Sequence, residues 1–163
     1  MMTYDRPKII LVDDNSSSLL LGRKILKPFY EVYPATSAEK MFEILEYIEP
    51  EMILLDVMMP GMNGYEAIEK LKADPRFYDI PVMFLTSQTD YDSELHGLEL
   101  GAVDYVSKPF HGPLLLKRID KELTFVRQTK ELELAKEELS KYSENLEDII
   151  REKQRQILQL NGV

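Results

Sequence analysis

The sequence contains no cysteine and only two histidines, His96 and His111, set apart in the chain. A disulfide framework and a thiolate metal site are therefore excluded, and a zinc cage has too few ligands. This composition fits a reducing cytoplasm. Long hydrophobic runs are missing as well: no stretch approaches the ~20 apolar residues that span a bilayer. The N-terminal Met1-Met2-Thr3-Tyr4-Asp5-Arg6-Pro7 has no signal-peptide core, so a soluble cytoplasmic protein without a membrane partner is expected. Positive charge is scarce, with 20 Lys and Arg against 29 Asp and Glu and a formal net charge of -9. Phosphate backbones are held by clustered Lys and Arg, so direct nucleic-acid binding is not expected.

What remains is a chain of 163 residues that is 44% hydrophobic. That suffices for one well-packed core with an appendage, while two full domains would each bury too little surface. Up to about residue 125, short β-rich apolar runs alternate with amphipathic stretches, the pattern of an α/β protein with a parallel sheet. Five runs read as strands: Lys8 to Val12, Tyr30 to Ala35, Met52 to Leu55, Val82 to Leu85 and Val103 to Val106. Those that are continuously apolar suggest strands covered on both faces. Between them, Met41, Ile44, Leu45 and Ile48 follow a helical period, as do Leu115, Ile119, Leu123 and Val126. Ser16 and Ser37 occupy cap positions. Two weaker helices run from Tyr65 to Ala73, begun by Gly64, and from Asp90 to Leu100, closed by Gly101. Right-handed crossovers then predict a doubly wound three-layer sandwich.

From Arg127 onward the composition changes: no Gly or Pro occurs before Gly162, and Glu, Lys, Leu and Gln dominate. A long helix is predicted. Phe125, Leu132, Leu139, Leu146, Lys153 and Leu160 recur every seven residues, and Ala135, Tyr142 and Ile149 supply a second seam position before Gln156 breaks it. A parallel homodimeric coiled coil is the expected use of such a seam, against the alternative of a solvated, charge-laced helix. Ile150 and Ile157 lie off the first seam and hint at a stutter. The division is thus a globular domain over 1–125 and a helical extension over 126–163. Helix-forming residues run almost to the end, so a further domain after Val163 is expected.

The strand ends carry the chemistry. The first ends in Asp13-Asp14, the third in Asp56, the fourth in Thr86 and the fifth in Ser107-Lys108. In open parallel sheets, ligands bind outside the carboxyl ends of the strands, so these residues should converge on one crevice. Each could instead merely stop its strand, but three acids, a hydroxyl and a lysine at successive ends are poorly explained that way. Gathered carboxylates repel one another, and a hard divalent cation relieves them. Mg²⁺ suits the set, because it takes one or two carboxylates, keeps waters and awaits phosphate oxygens. A carboxylate beside it can form an acyl phosphate, with lysine and hydroxyl stabilising the transferring oxygens.

In order and placement, Asp13-Asp14, the run Asp56-Val57-Met58-Met59-Pro60-Gly61-Met62-Asn63-Gly64, Thr86 and Lys108-Pro109-Phe110 resemble the receiver domains of bacterial two-component response regulators. The resemblance covers residues 7–125. It implies a flavodoxin-like fold, a five-stranded parallel sheet of order 2-1-3-4-5 flanked by five helices, the last extended into the coiled coil. It also implies that Asp56 accepts a phosphoryl group from a sensor histidine kinase. Asp14, Asp56 and the backbone carbonyl of Met58 would hold Mg²⁺, with Asp13 assisting through water. Lys108 would pair with the phosphoryl oxygens, Pro109 would follow a cis peptide, and Pro60 and Gly64 would shape the loop after Asp56. Thr86 would move toward the phosphoryl group and Tyr105 would rotate inward behind it, the signal passing along the last helix. Ser87 stands where the family commonly carries a small apolar residue such as Ala.

Such a chain would catalyse only its own phosphorylation and dephosphorylation. Two competing readings are a Mg-dependent phosphohydrolase of the haloacid-dehalogenase type and a dimerising scaffold that no longer signals. The first needs an Asp-x-Asp motif after the first strand, where Asp-Asp-Asn stands; the second needs a lost site residue. The stretch from Glu144 to Gly162 is similar to the helical linker ahead of cyclic-di-GMP phosphodiesterase domains of the HD-GYP type, which implies such an output domain.

Overall fold

In the computed structural model, residues 5–87 and 90–162 are described. Among the described residues, ten elements alternate: β1 (Lys8–Val12), α1 (Ser16–Leu26), β2 (Glu31–Ala35), α2 (Ala38–Leu45), β3 (Met52–Leu55), α3 (Gly64–Ala73), β4 (Val82–Thr86), α4 (Tyr91–Glu99), β5 (Asp104–Ser107) and α5 (Gly112–Leu160). The strands form one sheet of order β2-β1-β3-β4-β5, and every neighbouring pair is parallel. The chain steps one way from β1 to β2, then returns across β1 to β3 and continues to β5. With crossovers of one hand, that reversal sends helices to both faces and opens a crevice beyond the ends of β1 and β3.

Alternation along each strand divides the core. Ile10, Val12, Ile53, Leu55 and Phe84 pack with Met41, Leu45, Ile68 and Leu71 from α2 and α3. Ile9, Leu11, Leu54, Met83 and Leu85 pack with Leu19 and Leu26 from α1 and with Leu115, Ile119 and Leu123 from α5. β3 is buried at all four positions, as expected of a strand covered on both faces.

The differences from the expected boundaries have local causes. Tyr30, read as the start of the second strand, donates its N–H to the Leu26 carbonyl and so closes the turn after α1. Val103 donates to Val82, but the β4–β5 ladder begins at Met83↔Asp104 and runs to Thr86↔Ser107, one residue beyond the expected ends. Ser16 is not a cap. It is the first helical residue, and Asn15 caps α1 by accepting the Ser18 N–H on its side chain at 3.0 Å. Ser37 does cap α2. The helix ends at Leu45, leaving Ile48 in the following turn, where its N–H bonds the Ile44 carbonyl. Asp90 and Leu100 are the caps of α4 rather than part of it, and Gly101 adopts the expected left-handed conformation with φ of 107°.

The chain separates into two compact units, one ending at Leu123 and one beginning at Thr124, two residues earlier than the expected boundary at 125. The second unit is helical to Leu160. Among the described residues, no helix is long and apolar enough to cross a membrane.

Candidate functional site

The parallel ladder sets the site. Asp13 follows the last residue of β1, and its N–H bonds the Ala35 carbonyl at the end of β2; Asp56 follows β3, and its N–H bonds the Val12 carbonyl. The two acids are thereby held side by side in neighbouring strands. Both are buried, Asp13 at 2% and Asp56 at 6% exposure, whereas Asp14 is exposed. Asp13, Asp14 and Asp56 each offer a carboxylate oxygen within 4.8 Å of the others.

Lys108 reaches this cluster from the end of β5. Its N–H bonds the Thr86 carbonyl, the Lys108–Pro109 peptide is cis, and the ammonium pairs with both Asp13 and Asp56, standing 3.2 Å from Asp56 Oδ2. Burial pushes the Asp56 carboxyl above its ordinary value; the Lys108 ammonium opposes this, and the charge of Asp13 adds to it. The backbone supplies further donors. The Asn15 N–H bonds Asp13 Oδ1 at 2.9 Å, and the Met58 N–H approaches Asp56 Oδ1 at 3.3 Å.

The loop after Asp56 turns back within a few residues into α3. The Gly64 N–H bonds the Val57 carbonyl at 2.8 Å, and a Cβ on Gly64 would stand 2.8 Å from Val57 Cα, so only glycine fits. Asn63 caps α3 by accepting the Glu66 N–H. Pro60 lies exposed in the bend ahead of Gly61, which takes φ of 76°.

Thr86 is fully buried at the end of β4. Tyr105, in β5, is buried with its ring edge-on to Phe84 at 6.0 Å. Burial, then its hydrogen bond with Tyr65, pushes the Tyr105 hydroxyl well above its ordinary value, while Thr86 acts in the opposite sense. Tyr105 thus sits inward, beside Thr86. Gly97 of α4 makes room for both rings: a Cβ there would meet Phe84 at 3.0 Å and Tyr105 at 3.2 Å.

The structure therefore brings Asp13, Asp14, Asp56 and Lys108 into one crevice and places Thr86 and Tyr105 behind it. Sequence reasoning gave Asn15 no role, although an Asn directly after the acid pair and three residues before Ser18 is a cap signal. The Phe110 ring centroid lies 5.9 Å from the Lys108 ammonium, the outer range of cation–π attraction, a contact the motif alone does not signal. Tyr65 stacks edge-on with Phe84 and His96 and donates to the Ser93 carbonyl. Arg118 of α5 forms an ion pair with Asp104 at 3.0 Å. No local sequence pattern signals either arrangement.

The family model of the response regulator receiver domain matches residues 9–120. A probable cyclic di-GMP phosphodiesterase of Vibrio cholerae is 40% identical over 115 residues, covering 71% of this chain and 26% of that protein. The response regulator PleD of Caulobacter vibrioides is 37% identical over 113 residues, covering 69% of this chain and 25% of PleD. The chain thus spans about a quarter of the length of these two relatives. Among solved structures, the chemotaxis protein CheY4 of Vibrio cholerae superposes with a TM-score of 0.68 at 26% identity, covering 71% of this chain and 98% of that one. The BeF3-activated receiver domain of DrrB, a Thermotoga maritima protein, superposes with a TM-score of 0.67 at 32% identity, covering 73% of this chain and 98% of that one. With its sheet order, its acid crevice and a family match across most of its length, the chain belongs to the response regulator receiver family.

Proposed function

We propose that Asp56 accepts a phosphoryl group from a sensor histidine kinase and that this chain is the input half of a two-component regulator. The observation that carries this reading is the position of the Lys108 ammonium, paired at once with Asp13 and Asp56. An Asp56 carboxylate oxygen attacks the phosphorus of the kinase phosphohistidine. The O–P bond forms as the N–P bond breaks, and the imidazole leaves. Lys108 exchanges its carboxylate partner for the phosphoryl oxygens, and the Thr86 hydroxyl donates to another of them. The chain performs chemistry only on its own aspartate and does not turn over an external substrate.

The donor set fits Mg²⁺. Three carboxylates within 4.8 Å of one another form a hard, all-oxygen cluster; Asp14, Asp56 and the Met58 carbonyl would hold the ion, with Asp13 assisting. When bound, Mg²⁺ supplies positive charge to the transferring phosphoryl oxygens. The Asn15 N–H holds the Asp13 carboxylate in place.

Downstream, Thr86 and Tyr105 carry the phosphorylated state to the surface, and α5 carries it onward through self-association of its heptad seam. The output is a cyclic-di-GMP phosphodiesterase domain of the HD-GYP type; supporting this are the linker-like stretch from Glu144 to Gly162 and the Vibrio cholerae relative's name. Incubation with acetyl phosphate and Mg²⁺, read by intact-mass spectrometry, should add one phosphoryl group to the chain and none to Asp56→Asn. No adduct under those conditions or with a histidine kinase overturns the proposal.

A further inference from the structure

The helix from Thr124 onward leaves its apolar residues uncovered: Leu132, Leu139, Tyr142, Leu146, Ile149 and Leu160 are each between 42% and 84% exposed. They follow the seven-residue repeat with Ala135, and a seam of that kind is buried when two such helices pair. The flanking charges select the orientation. Taking Leu132 and Leu139 as the first core position of each heptad, Lys136 falls on one flank and Glu131 and Glu138 on the other. In a parallel pair, Glu131 of one helix meets the partner's Lys136 five residues on; in an antiparallel pair, glutamates face glutamates.

After Leu146 the seam divides. Continuing the upstream heptad leads through Ile149, Lys153 and Gln156 to Leu160. A second path leads through Ile150, Lys153 and Ile157 to the same Leu160. The two share Leu146, Lys153 and Leu160 and differ only in which neighbour of each pair, 149 or 150 and 156 or 157, points inward. Neighbouring helical residues are about 100° apart, so exchanging one path for the other turns the helix by roughly 40–50°. The first path keeps the upstream period but buries Gln156. The second buries Ile157 in its place but requires a four-residue shift of phase, which locally unwinds the supercoil. Periodicity favours one path and burial the other. Ile150 and Ile157 are themselves 55% and 56% exposed, available to the second path.

We propose that this helix pairs in parallel and in register with a second copy of the chain, oriented by Glu131 against the partner's Lys136, and that beyond Leu146 the pair has two rotational states centred on Ile149 and Ile150. This inference rests on the self-association proposed above. It adds the charge pair that selects the parallel orientation and a two-state joint beyond Leu146.

The absence of cysteine makes the test clean, because each variant carries a single thiol. Leu139→Cys, Ile149→Cys, Ile150→Cys and the outward-facing Glu144→Cys are oxidised in the full chain, and disulfide-linked dimer is measured beside sedimentation velocity. Leu139→Cys should cross-link at least ten-fold faster than Glu144→Cys, with Ile149→Cys and Ile150→Cys both cross-linking. Placing Ile150→Lys behind Ile149→Cys should raise the latter's cross-linking several-fold, and Ile149→Lys should do the same for Ile150→Cys. Sedimentation as a dimer without Leu139→Cys cross-linking overturns the parallel register while leaving self-association standing. Cross-linking at only one of Ile149→Cys and Ile150→Cys overturns the two-state joint. Phosphoryl uptake by Asp56, read by mass on the same samples, reports on the functional proposal separately.

Discussion

The Lys108 ammonium stands 3.2 Å from the Asp56 carboxylate across 52 residues of sequence, and the same ammonium pairs with Asp13. One cation thus offsets two buried acids while a third, Asp14, lies beside them. The resting site therefore holds more negative charge than its own lysine neutralises, which suits it to a divalent cation and, in turn, to a phosphoryl group.

Removing that cation should affect both folding and chemistry. Lys108→Met leaves Asp13 and Asp56 buried without a counter-charge, a change that costs about 3–5 kcal/mol where a buried pair is broken. Urea denaturation without divalent ions should show the loss, and Mg²⁺ should restore part of it. Phosphorylation of the variant by acetyl phosphate, followed by intact mass, should slow by about 10²-fold or more.

The charge on Asp56 should make stability depend on pH. Its folded pKa is raised above the ordinary 3.8, chiefly by burial, so between those two values the folded state binds more protons than the unfolded one. Stability contributed by the neutral carboxyl is present at low pH and is lost as pH rises through that window. Asp56→Asn should therefore melt higher than the parent at neutral pH without Mg²⁺, with the gap closing in acid. Calorimetry of both proteins at several pH values checks this, and an Asn variant that melts lower at pH 7 would contradict it.

Gly64 should tolerate no side chain. A Cβ there presses on the backbone of Asp56 and Val57, which cannot yield as a flexible side chain would. Gly64→Ala should lose about 2–3 kcal/mol in denaturant titration and, by displacing the loop that carries Asp56, should also slow phosphoryl uptake.

Asn15 provides a contrast. Asn15→Ala removes the α1 cap and should cost about 1 kcal/mol. The backbone N–H that Asp13 accepts is kept, so the rate of phosphorylation by acetyl phosphate should stay within about two-fold of the parent.

The relay predicts separable behaviour. Thr86→Ala should still acquire a phosphoryl group, but fluoroberyllate with Mg²⁺ should no longer change its sedimentation as it does for the parent. A Thr86→Ala protein that responds fully would exclude Thr86 from the relay.

β1 and β3 were legible in the sequence because burial on both faces leaves an unbroken apolar run; Met52–Leu55 needs no tertiary information to be recognised. Tyr30 and Val103 misled by one residue each, since an apolar side chain can belong to the turn that feeds a strand. Ser16 misled because several polar residues in succession are each able to cap, and only the side-chain hydrogen bond from the Ser18 N–H to Asn15 distinguishes them. Arg118 with Asp104 carried no signal, because the pairing joins α5 to β5 and their facing depends on the assembled layers.

The sequence by itself determined where each acid, hydroxyl and lysine falls along its strand, because period and strand length are local properties of the chain. Their function as one site was decided by the tertiary structure. Only the order β2-β1-β3-β4-β5 sets β1 beside β3, and with it Asp13 beside Asp56. Only in the assembled fold do burial and the neighbouring Asp13 charge raise the Asp56 carboxyl, and only there does one lysine reach both acids. Strand order and burial arise from contacts between distant residues, and no local pattern encodes the electrostatics that follow from them.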